Sequence, residues 1–234
     1  MFRARIDRFL VRLVAHLRDQ LRPHLERTVV DQVILDAVRD SADYANERMQ
    51  GALYFRRRDR LLDFALTQIA IDDAIVAEFG VSGGESINYL ARKLRGRVES
   101  IYGFDSFEGL KEDWRGGPKA RGAFSKGGIL PKVEPNVRLV KGWFDSTLPT
   151  FLDQNPKPFA FIHVDSDTYE AAKEICTLLD ERMTRGTIIV FDEYFGYRGW
   201  RLGEWKAWQE HVSRKNRSYE YLAFSVAQVA IRIL

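Results

Sequence analysis

Short apolar runs recur through the middle of the chain, and most of them are apolar at nearly every position. They are AIVAEFG, VESIYGF, NVRLVKG, FAFIHVD and TIIVFDE, which begin at residues 74, 98, 136, 159 and 187. Strands that are apolar throughout, rather than alternating, are covered on both faces. The pattern therefore predicts parallel strands joined by crossover helices, which is a Rossmann-like, doubly wound α/β fold.

The last two apolar runs are joined differently. YEYLAFS and VAQVAIRIL follow each other directly at the end of the chain. So short a connection permits only an antiparallel hairpin. We therefore expect a mainly parallel sheet in which one late strand is reversed.

Helical patterns fill roughly the first seventy residues. An apolar stripe with interleaved arginines runs from Phe2 to Leu21, Pro23 interrupts it, and two further helical patterns span about 29–49 and 60–70. No apolar stretch is continuous enough for a signal peptide or a membrane span. The predicted division is a helical region over residues 1–70, which covers substrate or forms a homo-oligomer, and an α/β domain over residues 71–234. A basic helix lying on an anionic membrane is the alternative role for the first stripe.

Composition narrows the classes of protein. The chain has 234 residues, 45% of them apolar, which suffices for one full-sized core. The formal net charge is only +3, so charge gives no reason to expect nucleic acid binding. The single cysteine, Cys176, lies on a helical apolar pattern, which indicates a structural residue and a reducing, cytoplasmic location.

A glycine-rich turn, EFGVSGGES, follows the first predicted strand at residues 78–86. Gly80, Gly83 and Gly84 would form the turn before a helix over 85–95, at the sheet edge where open α/β proteins bind ligands. Glycines allow a close approach of a cofactor, and the helix start suits an anionic group. Ser86 would touch that group or cap the helix. The spacing differs from the G-x-G-x-x-G dinucleotide fingerprint.

An acidic residue, Asp105, ends the second predicted strand and precedes Ser106. An acid at this place accepts hydrogen bonds from ribose hydroxyls in nucleoside cofactors of more than one class. We therefore assign Asp105 and Ser106 to the cofactor site. A turn or helix-capping role is the alternative for Asp105.

Three acids follow the fourth and fifth predicted strands: Asp165, Asp192 and Glu193. Carboxylates that converge would repel one another and raise their pKa values, unless a cation such as Mg²⁺ lies among them. The ion could hold a substrate hydroxyl and favour its alkoxide. Asp192 and Glu193 can share it only if the chain turns there. The alternative is that one or two of these acids serve only as helix caps, ion-pair partners or substrate contacts.

Further candidates lie near this edge. His163 shares a strand face with Asp165 and could assist proton removal, although a histidine in an apolar strand is usually structural. With Asp165 and Asp192 it forms the predicted catalytic set. Aromatic and basic residues after the fifth strand would wall the acceptor site or belong to the core. Cations in a predicted mobile loop over 115–135 would clamp an acidic acceptor or stay solvated. These two groups are Tyr197, Trp200, Arg201 and Trp205, and Arg115, Lys119, Arg121 and Lys126.

Five segments in the same order resemble the macrocin O-methyltransferase family of class I S-adenosylmethionine-dependent methyltransferases. They are AEFGVSGGESINYLA, GFDSFEGLKEDW, KGWFDSTLP, FIHVDSDTYEAA and VFDEYFGYRGWRLGEWKAWQEH, within about residues 72–212. The resemblance implies a seven-stranded sheet with a reversed last strand. It implies cofactor contacts at Glu78, Gly80, Gly84 and Asp105, Trp143 and Phe144 beside the adenine, and Mg²⁺ at Asp165, Asp192 and Glu193. The family usually has Asp-Asp where this chain has Asp192 and Glu193. It commonly has proline at the position of Lys111.

The resulting prediction is a methyltransferase that uses S-adenosylmethionine, and Mg²⁺ where the acids bind it, to methylate a hydroxyl of a sugar-like or other small acceptor. Two alternatives stay open at this point. A nicotinamide-dependent oxidoreductase would use the same fold, but its glycine spacing is absent. A non-catalytic scaffold or membrane-surface protein would depend on the basic N-terminal helix.

Overall fold

The computed structural model describes residues 28–234 and, before them, Leu13, Val14, His16 and Leu17. These four residues are helical. The rest of the predicted amphipathic helix, and its break at Pro23, lie outside the described residues. The chain divides into two compact units, residues 1–36 and 37–234.

The described part contains six α-helices and eight strands. The helices are α1 Val29–Arg48, α2 Arg58–Thr67, α3 Glu85–Lys93, α4 Phe144–Gln154, α5 Tyr169–Leu178 and α6 Glu204–Lys215. The strands are β1 Leu53–Tyr54, β2 Ile75–Phe79, β3 Ile101–Asp105, β4 Val137–Lys141, β5 Phe159–Val164, β6 Ile188–Phe191, β7 Tyr219–Phe224 and β8 Val229–Ile233. None of the helices described is long and apolar enough to cross a membrane.

All eight strands form one sheet, in the order β1-β7-β8-β6-β5-β2-β3-β4. Strands β2 to β6 pair in parallel, whereas β8 runs antiparallel to both β6 and β7. The predicted Rossmann-like fold with a reversed last strand is therefore confirmed. The sheet has eight strands rather than seven, because the two residues of β1 pair with β7. A pairing this short, in a segment without alternation, leaves no pattern in the sequence.

Successive residues of the central strands point to opposite faces of the sheet, and both faces are buried. Ile189 and Phe191 of β6 join one hydrophobic cluster, which includes residues of α1, α4, α5 and α6. Ile188 and Val190 join the other, which includes residues of α2 and α3. Both-sided burial explains why these strands are apolar at every position.

The segment 37–70 belongs to the same compact unit as the sheet. Leu61 and Leu62 of α2 lie in the hydrophobic cluster that also contains Val76 of β2. The predicted boundary at residue 70 thus differs from the boundary in the structure. The reason is that α2 covers one face of the sheet and β1 forms one of its edges. Cys176 is buried, and burial raises the pKa of its thiol to about 12.

The connection between β3 and β4, predicted as a mobile loop, is folded back on the sheet edge. The amides of Lys126 and Gly128 both donate to the carbonyl of Phe107. The side chain of Asn88 on α3 donates to the Lys132 carbonyl and accepts from the Glu134 amide. These bonds place residues of the connection beside the glycine turn.

Candidate active site

A cavity of about 570 Å³ opens at the carboxyl ends of β2, β3, β5 and β6, a size typical of small-molecule sites. Most of the predicted site residues line it: Gly80, Gly83, Ser86, Asp105, Ser106, Trp143, Phe144, Asp165, Asp192 and Glu193. Glu78, Gly84 and His163 do not belong to the lining. The structure therefore brings the predicted cofactor turn and the predicted acids into one cavity.

The glycine turn is held by the strands on both sides of it. Gly80 has a φ of +94°, and its amide donates to the carbonyl of Phe104 on β3. A Cβ at this position would lie 1.7 Å from the carbonyl oxygen of Asp165. Gly84 ends the turn with a φ of +84° just before α3. The need for glycine at position 80 thus arises from the neighbouring strand, not only from a cofactor.

Asp105 closes the turn from the side of β3. Its Oδ2 accepts hydrogen bonds from the amides of Val81 and Ser82, at 2.8 and 2.7 Å. Its Oδ1 accepts from the amide of Phe107 at 2.6 Å. Asp105 therefore fixes the shape of the turn while it lines the cavity. Its contact with a ribose stays a prediction.

Beneath the cavity, buried polar side chains cross from β2 to β6. Oε1 of Glu78 accepts a hydrogen bond from the hydroxyl of Ser86 at 3.0 Å, and Oε2 lies 2.8 Å from Nδ1 of His163. Nε2 of His163 lies 3.4 Å from Oδ1 of Asp192. Glu78 and His163 are register partners on adjacent strands and are fully buried. A histidine between two carboxylates is stabilised in its protonated form.

For His163, this geometry favours the structural alternative over the predicted part in proton removal. Burial by itself would lower the pKa of His163, but the hydrogen bonds to Asp192 and Glu78 outweigh it and raise the pKa to about 10. An imidazolium has no free lone pair to accept a proton, and the ring does not line the cavity. His163 therefore acts as a buried cation.

We expect one of the four imidazoles of the chain to remain protonated at pH 8.5. The signal of this protonated ring should be missing from the His163→Gln variant. Because the folded-state pKa is raised, the stabilisation from this proton is complete below the unfolded pKa of about 6.5 and is lost as pH rises towards about 10. Imidazole ¹⁵N shifts measured by NMR between pH 6 and 10 test it. The assignment would be contradicted if His163 titrated near pH 6.5, so that no imidazole remained protonated at pH 8.5.

Arg58, the first residue of α2, also contacts the acids. Its Nη2 donates to Oδ2 of Asp165 at 2.7 Å. Its Nε lies 2.7 Å from Oδ1 of Asp192, as an ion pair without an aligned hydrogen bond. Burial would lower the pKa of Arg58, but Asp192 and Asp165 raise it. Sequence reasoning missed Arg58, because it stands among the three consecutive arginines 56–58 with nothing to single it out.

The acids that line the cavity differ in how well their charged forms are stabilised. Burial would raise the pKa of Asp192, but His163 and Arg58 hold it below its usual value. Burial and repulsion from Asp192 raise the pKa of Asp165 to about 7. Burial and repulsion from the neighbouring acids also raise the pKa of Asp167 to about 7, and that of Glu193 well above its usual value. The charged forms of these three acids are therefore disfavoured, although Asp165 is paired with Arg58.

Glu204 at the start of α6 fixes the backbone around these acids. It is fully buried, and its two oxygens accept hydrogen bonds from the amides of Ser166 and Glu193, at 3.2 and 3.1 Å. Burial is the main reason that its pKa is raised well above the usual value. The chain also bends at Asp192 and Glu193, which meets the geometric requirement for both to reach one cavity.

The residues present fit a divalent cation, although not with the predicted trio as a unit. One oxygen each of Asp165, Asp167 and Glu193 lies within 4.8 Å of the others. Oε2 of Glu193 is buried and has no hydrogen-bond partner among the described residues. Asp192 instead clusters with His163 and Asp165. Sequence reasoning missed Asp167, although its place two residues after Asp165 was a usable signal.

The aromatic and basic residues that were predicted to line the acceptor site do not lie at this cavity. None of Tyr197, Trp200, Arg201 and Trp205 lines this cavity. The guanidinium of Arg201 stacks over Trp200 at 4.2 Å and pairs with Asp40, while Trp205 faces a second cavity. Trp200 is buried in the core, and Arg201 also lines the second cavity. Trp114, from the β3–β4 connection, lines the cavity instead and contacts Tyr197 edge to face.

Of the four predicted loop cations, only Lys126 lines the cavity; Arg115, Lys119 and Arg121 do not. Lys111, which departs from the usual proline, also lines it. Its Nζ pairs with Asp145 and Glu174 and lies 5.0 Å from the ring centroid of Trp143. Lys111 thus helps to hold Trp143 at the cavity wall.

Comparisons with known proteins agree with this geometry. Residues 77–194 match the family described as Methyltransferase domain. The solved structure of CalS11, a calicheamicin methyltransferase, has a TM-score of 0.62 at 23% identity and covers 91% of this chain and 96% of its own. The O-methyltransferase NovP has a TM-score of 0.55 at 19% identity, covering 75% and 78%. An O-methyltransferase from Bacillus cereus in complex with SAH has a TM-score of 0.51 at 14% identity, covering 94% and 97%. No curated protein matches. At these identities the structural likenesses show the fold.

Proposed function

Because the chain belongs to the methyltransferase-domain family, as the match over more than half of its length shows, we propose that it transfers the methyl group of S-adenosylmethionine to a hydroxyl of a small, sugar-like acceptor. One observation carries the proposal: a single cavity joins the glycine turn after β2 to the acids after β5 and β6. The names of the fold neighbours support the choice of oxygen, since CalS11 is described as a TDP-rhamnose 3'-O-methyltransferase.

The cofactor would occupy the part of the cavity next to the glycine turn. Its amino-acid end would lie at the start of α3, where the first amide groups of the helix have no partners within the helix. The adenine would lie towards Trp143, at the end of β4. The residues proposed for this site are Glu78, which acts through Ser86, and Gly80, Gly83, Gly84, Ser86, Asp105, Ser106, Trp143 and Phe144.

The acceptor would occupy the part of the cavity near Asp165, Asp167 and Glu193. In the reaction, the acceptor oxygen attacks the methyl carbon, the bond from that carbon to sulfur breaks, and S-adenosylhomocysteine leaves. The hydroxyl proton passes to Asp167, whose carboxylate accepts no hydrogen bond within the described residues. Alignment of the two reactants supplies most of the acceleration.

Mg²⁺ would be held by Asp165 and Glu193, because this ion commonly takes one or two carboxylates and completes its shell with waters and substrate oxygens. When bound, it would lower the pKa of the acceptor hydroxyl. Asp192, the third predicted ligand, would stay with its two cations. Asp167 would remain available for the proton.

Cofactor binding is the direct test. We expect S-adenosylhomocysteine at 100 times its Kd to stabilise the purified chain by about 2.7 kcal/mol, seen as a rise in Tm, and NAD to have no effect. Mass spectrometry should then detect a gain of one methyl group on an acceptor from a panel of free and nucleotide-linked sugars. Stabilisation by NAD alone would favour an oxidoreductase. Liposome binding with no response to either nucleoside would favour a scaffold.

A matched pair of variants tests the position of the adenine. Trp143→Ala should weaken S-adenosylhomocysteine binding about fivefold in calorimetry, because an aromatic stack of about 1 kcal/mol is lost. Tyr54→Ala is the control, since Tyr54 is exposed on β1, at the opposite edge of the sheet from β4. Equal affinities for the two variants would place the adenine elsewhere.

A further inference from the structure

Three basic side chains of the described residues line the active-site cavity: Arg58, Lys111 and Lys126. Arg58 and Lys111 are each ion-paired with two carboxylates. The ammonium of Lys126 forms no hydrogen bond and no ion pair with any residue in the described part of the chain. Its charge is therefore available to an anion that enters the cavity.

The backbone that carries Lys126 is tied to the end of β3. The amides of Lys126 and Gly128 both donate to the carbonyl of Phe107. The amide of Phe107 donates in turn to Oδ1 of Asp105, whose Oδ2 holds the glycine turn. One aspartate thus connects the glycine turn with the segment that carries Lys126, and hydrogen bonds fix the relative position of the two.

The ammonium of Lys126 lies beside Gly83 of this turn. A Cβ built on Gly83 would lie 4.0 Å from Nζ of Lys126, and apart from its chain neighbours it would meet no other atom within 4 Å. Unlike Gly80 and Gly84, Gly83 does not have a positive φ. Neither the backbone conformation nor the packing therefore requires glycine at position 83. The missing side chain leaves an open space between the turn and the ammonium.

We propose that Lys126 binds the carboxylate at the amino-acid end of S-adenosylmethionine, in the space beside Gly83. The inference rests on the proposed function, which places this end of the cofactor next to the glycine turn. The carboxylate is the only anionic group of the cofactor, and an ammonium forms a charge-assisted hydrogen bond with it. The acids after β5 and β6 repel the same carboxylate. Lys126 and these acids together set which end of the cofactor faces the turn.

A phosphate or carboxylate on the acceptor offers the same chemistry to Lys126. The place of the ammonium beside the turn, where the cofactor lies, favours the cofactor as the source of the anion. The two sources differ in what the loss of Lys126 changes. In the first case the affinity for the cofactor falls in the absence of any acceptor, whereas in the second only the KM of an anionic acceptor rises.

Calorimetry on the full chain without acceptor tests the assignment with two probes. They are S-adenosylhomocysteine and decarboxylated S-adenosylhomocysteine, which lacks only the carboxylate. Lys126→Met should weaken S-adenosylhomocysteine binding about fivefold, as expected for an exposed ion pair, and change binding of the decarboxylated probe less than about twofold. Lys126→Arg, which keeps the charge, should bind both probes like the original chain. Lys132→Met is the matched control, because it removes a lysine of the same connection that does not line the cavity.

Gly83→Ala tests the same space without a change of charge. The variant should keep the Tm of the original chain, because φ at position 83 is not in the left-handed region and the added Cβ meets no backbone atom beyond its neighbours. It should weaken binding of S-adenosylhomocysteine more than binding of the decarboxylated probe, because the methyl group takes up space beside the ammonium of Lys126.

The assignment would be overturned if Lys126→Met lost affinity for both probes equally or for neither, or if Lys132→Met lost as much as Lys126→Met. A higher KM for a nucleotide-linked sugar in Lys126→Met, with both affinities unchanged, would assign the ammonium to the acceptor and also overturn it. If Lys126→Met does not fold, the two affinities of Gly83→Ala decide. An unmodified chain that binds neither probe would contradict the proposed function itself, and this inference with it.

Discussion

Asp167→Asn is expected to lower kcat by a factor of about 10² to 10⁴, while the Kd of S-adenosylhomocysteine stays unchanged. Asp167 lines the cavity, follows β5 by three residues and accepts no hydrogen bond within the described part of the chain. Burial and repulsion from Asp165 raise the pKa of its carboxyl to about 7, which suits a base working near neutral pH. The amide removes this basicity at almost constant shape.

Asparagine is also the replacement that the backbone tolerates best. Asp167 has a φ of +60°, in the left-handed region that Asn and Asp adopt more readily than other non-glycine residues. The variant should therefore keep the stability of the original chain, and the loss should lie in the chemical step. The measurement is kcat from S-adenosylhomocysteine release, with Kd from calorimetry.

The matched control is Asp153→Asn, which alters an exposed aspartate on α4 and should leave kcat unchanged. A Asp167→Asn enzyme with at least half of the original kcat would contradict the role of Asp167 in proton removal. A loss of S-adenosylhomocysteine binding in the same variant would instead assign Asp167 to the cofactor site.

The parallel strands and the hairpin were predictable because both-sided burial and a very short connection each leave a pattern in the sequence. The acids after β5 and β6 were also found, since they follow those strands directly. Arg58 was not, because an ion pair between residues 107 positions apart depends on how α2 packs against the sheet. His163 was placed on the correct strand, but its charge depends on Glu78 and Asp192, which only the register brings beside it.

The aromatic residues after β6 show the opposite failure. Trp200 and Trp205 were proposed for the acceptor wall, but each rests against Tyr44 of α1, at 5.4 and 5.8 Å between ring centroids. Aromatic residues at helical spacing serve a core and a binding site equally well, and the sequence alone does not separate these uses. The packing of α1, which comes from a distant segment, decides it.

Gly80→Ala is expected to lower the free energy of unfolding by about 3–6 kcal/mol or to abolish folding, since it combines backbone strain with a steric clash. The φ of +94° already disfavours a side chain. The added Cβ would meet the carbonyl oxygen of Asp165 at 1.7 Å and its carbon at 2.7 Å. Both are backbone atoms, so no side-chain rotation relieves the contact.

The strands cannot separate at this point without breaking the sheet. The amide of Asp165 donates to the carbonyl of Phe79 at 2.8 Å, next to the site of substitution. Movement of Asp165 would also disturb its ion pair with Arg58 and its distance to Glu193. Any folded Gly80→Ala protein should therefore lose metal binding and methyl transfer together, although Gly80 carries no functional side chain.

Gly96→Ala is the control that separates strain from clash. Gly96 has a φ of +78°, similar to that of Gly80, but an added Cβ would meet no atom within 4 Å. This variant should lose only about 1–2 kcal/mol, the cost of the left-handed conformation itself. Urea denaturation of both variants measures the difference. If the two lose equal stability, Asp165 yields easily, and the conclusion that the glycine turn sets the position of the acid after β5 is wrong.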